Sequence, residues 1–138
     1  MPTTAQIEQA MQTHFSAWNR KDRAAWLRNF ADGAVLEDPV GGPEKRGREA
    51  LEKSWDRSFQ GGQDWRIEPL FQCICANEAA HLVRSTGVVG GRKIVVEGIE
   101  VYTIDDAGRI ARVRTWFRAP AGEQLDPYFS PTPAPAPR

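Results

Sequence analysis

The 138-residue chain balances eighteen Lys and Arg against eighteen Asp and Glu, with 41% hydrophobic and 26% charged residues. That length suits one domain burying roughly two-thirds of its unfolded surface. The zero net charge lacks the basic field of a non-specific nucleic-acid binder, and no apolar run approaches the roughly 18 residues of a membrane span. The start, Met-Pro-Thr-Thr-Ala-Gln, carries no signal-peptide pattern, so a cytoplasmic location is expected. Cys73 and Cys75 stand two apart, which on a strand sends them to opposite faces and argues against an internal disulfide. Neither of the two His lies at ligand spacing from a cysteine, so a metal site has little support.

Thr3 and Gln6 have capping-box spacing ahead of a helical stripe of Ile7, Met11, His14 and Trp18. Asn19 to Lys21 breaks it. Asp22 can cap a second helix with Ala25, Trp26 and Phe30 buried, closed by Asp32 and Gly33. Ala34 to Asp38 alternates as a strand that Pro39 ends. After a Gly- and Pro-rich loop, Leu51, Trp55 and Phe59 mark a third helix from about Arg48 to Phe59. Four strands follow: Trp65 to Cys75, bent near Pro69; Ala79 to Val89; Lys93 to Ile104; and Arg109 to Phe117. Gly90-Gly91 is a two-residue hairpin signal.

Three helices and a four-stranded antiparallel meander predict an α+β domain. A curved antiparallel sheet wrapped around the three N-terminal helices makes a cone with an apolar interior, open at one end. Residues 1–119 form this domain. Residues 120–138 are a Pro-rich tail expected to be extended and disordered.

Setting Ile104 opposite Arg109 places Glu100 opposite Val113, Gly98 opposite Thr115 and Val96 opposite Phe117. One face then carries Ile94, Val96, Glu100, Tyr102, Val113, Thr115 and Phe117. The other carries Glu97, Ile99, Val101, Arg112, Arg114 and Trp116. Putting the arginine face inside would be harder to accommodate than one protonated Glu. Glu100 is therefore expected on the apolar face, where burial raises its pKa and keeps it a neutral hydrogen-bond donor. His14 shares the inward stripe of Met11 and Trp18, a place more often filled by a satisfied core histidine than a catalytic one. Asp38 sits on the Leu36 face at a strand end, where Asp before Pro also serves as a plain turn initiator.

These residues occur together in a known family. The segments Phe30-Ala31-Asp32, Glu37-Asp38-Pro39-Val40-Gly41, Ala76-Asn77-Glu78-Ala79-Ala80, Gly91-Arg92-Lys93, Val95-Val96 and Asp106-Ala107-Gly108 carry the likeness. Over about residues 5 to 118 the chain resembles the ketosteroid isomerases of the SnoaL-like, nuclear-transport-factor-2-like superfamily. The resemblance implies a conical pocket with Asp38 as base. The family's oxyanion Asp, a case of a carboxylic acid held neutral by an apolar site, falls on Glu100. Its oxyanion Tyr falls on His14, and a supporting Tyr falls on Trp55. Two family Phe positions correspond to Val83 and Gly87, which predicts a reshaped cavity. Trp18, Trp55, Val83, Gly87, Tyr102, Val113, Thr115 and Phe117 are the expected substrate-binding residues.

The activity implied is transfer of a double bond from β,γ to α,β in a 3-ketosteroid, with Asp38 as base and Glu100 and His14 as oxyanion donors. It requires no metal or cofactor. The implied partner is a hydrophobic small molecule, a steroid or polycyclic ketone. A homodimer through the outer sheet face of Glu97, Arg112, Arg114 and Trp116 is also implied. A polyketide cyclase using His14 and Asp38, another small-molecule enzyme of the superfamily, or a non-catalytic binding domain stays open.

Overall fold

Local capping chemistry sets the first elements of the computed structural model, which describes residues 1–118 and the backbone of 123–125 and 131–133. Helix α1 (Thr4–Arg20) starts with the predicted capping box. The Thr3 hydroxyl accepts from Gln6 N at 3.1 Å, and Thr3 N donates to Gln6 Oε1 at 2.8 Å. It ends at Lys21 in the left-handed region, φ 61°. Asp22 caps α2 (Arg23–Arg28) by accepting from Ala25 N at 3.1 Å. This helix is shorter than the expected run to Asp32. Asn29 donates from its side chain to Ala10 O at 2.8 Å, and its carbonyl accepts from Ile110 N at 2.9 Å. The Asn29 carbonyl, which another helical turn would have used, is thus satisfied by the last long strand, and the chain enters β1 (Phe30–Glu37) at once.

A two-residue strand, β2 (Lys45–Arg46), precedes α3 (Gly47–Phe59). The long strands then run as predicted to within two residues: β3 (Asp64–Cys75), β4 (Glu78–Val89), β5 (Arg92–Ile104) and β6 (Ile110–Arg118). Gly90 and Gly91 both take positive φ, 59° and 76°, as a tight hairpin between β4 and β5 requires. The bend expected near Pro69 is a register shift between Pro69 and Phe71.

The sheet departs from the predicted meander in size and in kind. It has six strands in the order β2-β1-β6-β5-β4-β3, and β1 lies parallel to β6, so it is mixed rather than purely antiparallel. This pairing joins segments some eighty positions apart, and local patterning does not encode it. The curved, unclosed sheet wraps the helices.

The β5–β6 register also differs. Glu100 faces Thr115, and Tyr102 faces Val113. The Asp105 side chain accepts from Ala107 N and Arg109 N, both at 3.0 Å, and an irregularity after Thr103 adds a residue to β6. The displacement is two residues. Side chains alternate with period two, so every residue keeps its predicted face.

The main core joins Ile7, Met11 and Phe15 of α1 to Phe30, Leu51, Tyr102, Ile104 and Ile110. Asn19 pins α1 to β3, donating to Ile67 O at 2.8 Å and accepting from Ile67 N at 2.9 Å. Trp65, Ile94 and Val96 form a second cluster with Trp18, Phe59 and Phe117. No helix among the described residues is long and apolar enough to cross a membrane. In the tail, β7 (Glu123–Leu125) pairs antiparallel with β8 (Pro131–Pro133), and the rest of the tail expectation lies outside the described residues.

Candidate active site

Between the helices and the inner face of the sheet lies a cavity of about 780 Å³, part of it at an open mouth. Its wall is mostly apolar: Trp18 of α1, Trp26 of α2, Phe30 and Leu36 of β1, Val96 of β5, Val113 and Phe117 of β6. Polar groups interrupt it at a few points, namely His14, Asp38, Ser58, Ser85, Glu100, Tyr102 and Thr115. A largely apolar hollow with a few convergent polar groups is the usual form of a small-molecule site.

Strand alternation puts Glu100 and Tyr102 on the inner face of β5, and both are buried. The Tyr102 hydroxyl is hydrogen-bonded to Glu100 Oε1 at 2.5 Å. Burial pushes the Glu100 carboxyl up to about 8. The bond from Tyr102 opposes that rise, and the charge of Asp38 adds to it. At neutral pH Glu100 is therefore mostly the protonated acid. Burial, then the neighbouring Glu100 charge, holds the Tyr102 phenol well above its ordinary range.

His14 reaches the site from the inner stripe of α1. Its Nε2 lies 3.1 Å from Tyr102 Oη, and Phe15, Trp26 and Phe30 surround its ring. Burial, then His81 close by, lowers His14 to about 3, so its imidazole is neutral. The resemblance had set His14 at the position of a direct oxyanion donor. In the structure this ring nitrogen is engaged by Tyr102.

Asp38 follows the end of β1. Val40 N donates to Thr115 O at 2.8 Å, holding the turn after it against β6. The Thr115 hydroxyl donates to Asp38 Oδ1 at 2.5 Å. Burial raises Asp38 to about 6. The Thr115 bond and the charge of Lys45 act the other way. Asp38 is thus mostly ionised at neutral pH, yet basic enough to take a proton. Glu37, one residue earlier, points to the outer face and pairs with Arg112 and Arg114. Those guanidiniums keep Glu37 below its usual range. Two adjacent carboxyls are pushed in opposite directions by opposite surroundings.

His14, Trp18, Asp38, Glu100, Tyr102, Val113, Thr115 and Phe117 all line the cavity. Three expected wall residues do not. Trp55 is buried in the helix layer against Trp18, Trp26 and Phe59. Val83 is fully buried in the main core. Gly87 is covered by Trp65, its partner across β3 and β4; a Cβ there would lie 2.5 Å from Trp65 Cε3. Sequence reasoning missed Trp65, which occupies the room left by Gly87. The direct cross-strand pairing of an aromatic with a glycine is the signal that could have found it.

The model of the SnoaL-like domain family matches residues 11–113. A steroid Delta-isomerase of Nocardioides simplex is 33% identical over 124 residues, covering 90% of this chain and 98% of that protein. The crystal structure of a Delta 5-3-ketosteroid isomerase from a Mycobacterium species superposes with a TM-score of 0.71 at 26% identity, over 82% of this chain and 93% of that one. SalBIII, an epoxide hydrolase/cyclase-like enzyme of salinomycin pyran-ring formation, superposes with a TM-score of 0.79 at 19% identity, over 86% and 95%, a likeness of fold alone. The chain belongs to the SnoaL-like domain family, as a relative of the steroid Delta-isomerases.

Proposed function

We propose that the protein shifts a double bond from the β,γ to the α,β position of a 3-ketosteroid, or a polycyclic ketone of similar shape, by intramolecular proton transfer. The observation that carries this reading is one apolar cavity lined by two carboxyls, Asp38 and Glu100, whose surroundings raise Glu100 further than Asp38 and so favour a neutral acid beside an ionised base. Asp38 removes the proton from the carbon between carbonyl and double bond. Charge moves onto the carbonyl oxygen as a dienolate forms, and Glu100 stabilises it by hydrogen bonding. Asp38 then returns the same proton two carbons along, so atoms and charge balance without a cofactor. A well-placed oxyanion donor supplies a factor of about 10²–10³ in rate. The names of the Nocardioides and Mycobacterium relatives support a steroid as ligand. A cyclase mechanism pairing His14 with Asp38 has less support, because the one hydrogen bond of the imidazole among the described residues runs to Tyr102.

The test is absorbance at the enone wavelength during incubation with 5-androstene-3,17-dione. Turnover that falls by about 10²–10⁴ in Asp38→Asn supports the assignment. Wild-type enzyme indistinguishable from buffer overturns it.

The outer sheet face supports a second copy of the chain as partner. Phe71, Leu82, Ile99 and Trp116 are all exposed and sit side by side across β3, β4, β5 and β6. Beside them runs the row Glu68, Arg84, Glu97 and Arg118. An acid–base–acid–base row meets its complement when rotated onto itself by a two-fold axis, the geometry of an isologous dimer. Arg112 and Arg114 lie on the same outer face, tied to Glu37.

A further inference from the structure

His14, Tyr102 and Glu100 form a buried line, and one orphan atom bears on its polarity. His14 Nε2 is 3.1 Å from Tyr102 Oη, and Tyr102 Oη is 2.5 Å from Glu100 Oε1. Among the described residues, His14 Nδ1 is buried without a hydrogen-bond partner. Two proton arrangements suit these distances. In the first, Glu100 donates to Tyr102, Tyr102 donates to Nε2, and the imidazole proton sits on Nδ1 as a stranded N–H. In the second, Nε2–H donates to Tyr102 Oη, the phenol donates to Glu100 Oε1, and Nδ1 holds a bare lone pair. Buried N–H groups without a partner are rarer than under-used acceptors, which favours the second.

We propose that His14 and Tyr102 form a one-way donor chain ending on Glu100 Oε1, which leaves the acid's own proton on its other oxygen for the ligand. Tyr102 is then a positioning residue that acts through Glu100, and His14 acts through Tyr102. The catalytic consequence rests on the isomerase reading above, whereas the direction of the chain does not. Donation into Oε1 makes Glu100 a stronger hydrogen-bond donor as charge grows on the ligand oxygen, because it stabilises the carboxylate that partial proton transfer creates. The titratable groups around Glu100 are Tyr102 on its own strand, His14 from α1, His81 opposite on β4, and Asp38 after β1. Asp38 is the charged one, and Thr115 on β6 adds a hydroxyl.

Long-range proton–nitrogen NMR of the wild-type protein reads the tautomer without substrate, with His81→Asn assigning the two imidazoles. An Nε2–H tautomer at His14 is expected, and an Nδ1–H tautomer overturns the chain. In the isomerase assay, Tyr102→Phe is expected to lower kcat about tenfold with KM nearly unchanged. It also moves the alkaline limb of the rate profile to higher pH, since Glu100 loses a donor that favours its ionised form. His14→Gln, which keeps an N–H donor, should retain most of the rate. A Tyr102→Phe limb that stays in place overturns the positioning role. Should Tyr102→Phe fail to fold, the wild-type tautomer decides. Wild-type enzyme inert toward β,γ-unsaturated ketones removes the isomerase reading, and the tautomer still judges the chain.

Discussion

Glu100 and Thr115 face one another directly across β5 and β6, and the Thr115 hydroxyl holds Asp38 Oδ1 at 2.5 Å. The proposed acid and the group that grips the proposed base therefore share one rung of the sheet. Their spacing is set by a backbone ladder rather than by loops, which is how a site stays within the tolerance catalysis demands. Thr115→Val removes that grip and the lowering influence it has on Asp38. The acid limb of kcat/KM should move to higher pH, with activity at about pH 6 falling about tenfold and recovering in part as pH rises. A limb that does not move would contradict this role for Thr115.

The wild-type rate profile should be a bell. As the proposed base, Asp38 must be ionised; burial pushes it up to about 6, so activity should fall below that value. Glu100 must be protonated and titrates at about 8, so activity falls above it. Measuring kcat/KM across this range checks both limbs; a profile flat through alkaline pH would remove Glu100 as the acid.

Stability carries the same signature. The folded protein holds the Glu100 proton up to about 8, whereas its ordinary value is 4.5. This group's contribution is full below the lower value and is lost as pH rises through the upper one. Glu100→Gln removes the loss, so the variant should gain on wild type with rising pH, by on the order of several kcal/mol at its alkaline plateau. Urea unfolding on either side of this window measures it, and a constant difference between the two proteins would refute it.

Gly87→Ala tests the shape of the cavity wall at Trp65. The new Cβ would meet the Trp65 ring at 2.5 Å and displace it toward the cavity. Steroid affinity should weaken by about tenfold or more, with the pH limbs unchanged. Equilibrium titration with a fluorescent steroid reads the change, and unchanged affinity would show that Trp65 moves elsewhere.

Ile99→Lys places a charge in the middle of the exposed apolar row. Sedimentation equilibrium should show twice the chain mass for wild type and the single-chain mass for the variant. A wild-type monomer would exclude the proposed two-fold interface.

Much of this architecture was legible because its determinants are local. Thr3 with Gln6 and Asp22 with Ala25 are capping contacts three residues apart. The alternation of β5 placed Glu100 inside, and parity protected that inference when the register proved two residues off. What escaped is non-local. The pairing of β1 with β6 decides where Asp38 sits, and no short pattern announces it. Tyr102 read only as a wall residue, because its hydrogen-bond partner His14 lies eighty-eight positions away. Trp65 was invisible as a wall residue until Gly87 was known to lie opposite.

Glu37 and Asp38 are consecutive, so the phase of β1 alone decides which carboxyl looks at the ligand. Two guanidiniums lock that phase by clasping Glu37 beside its parallel partner Arg114. Inserting or deleting one residue before Glu37 would trade the proposed proton acceptor for a structural anchor while leaving the composition of the pocket almost intact. Selection on this stretch should therefore tolerate substitutions far more readily than changes in length.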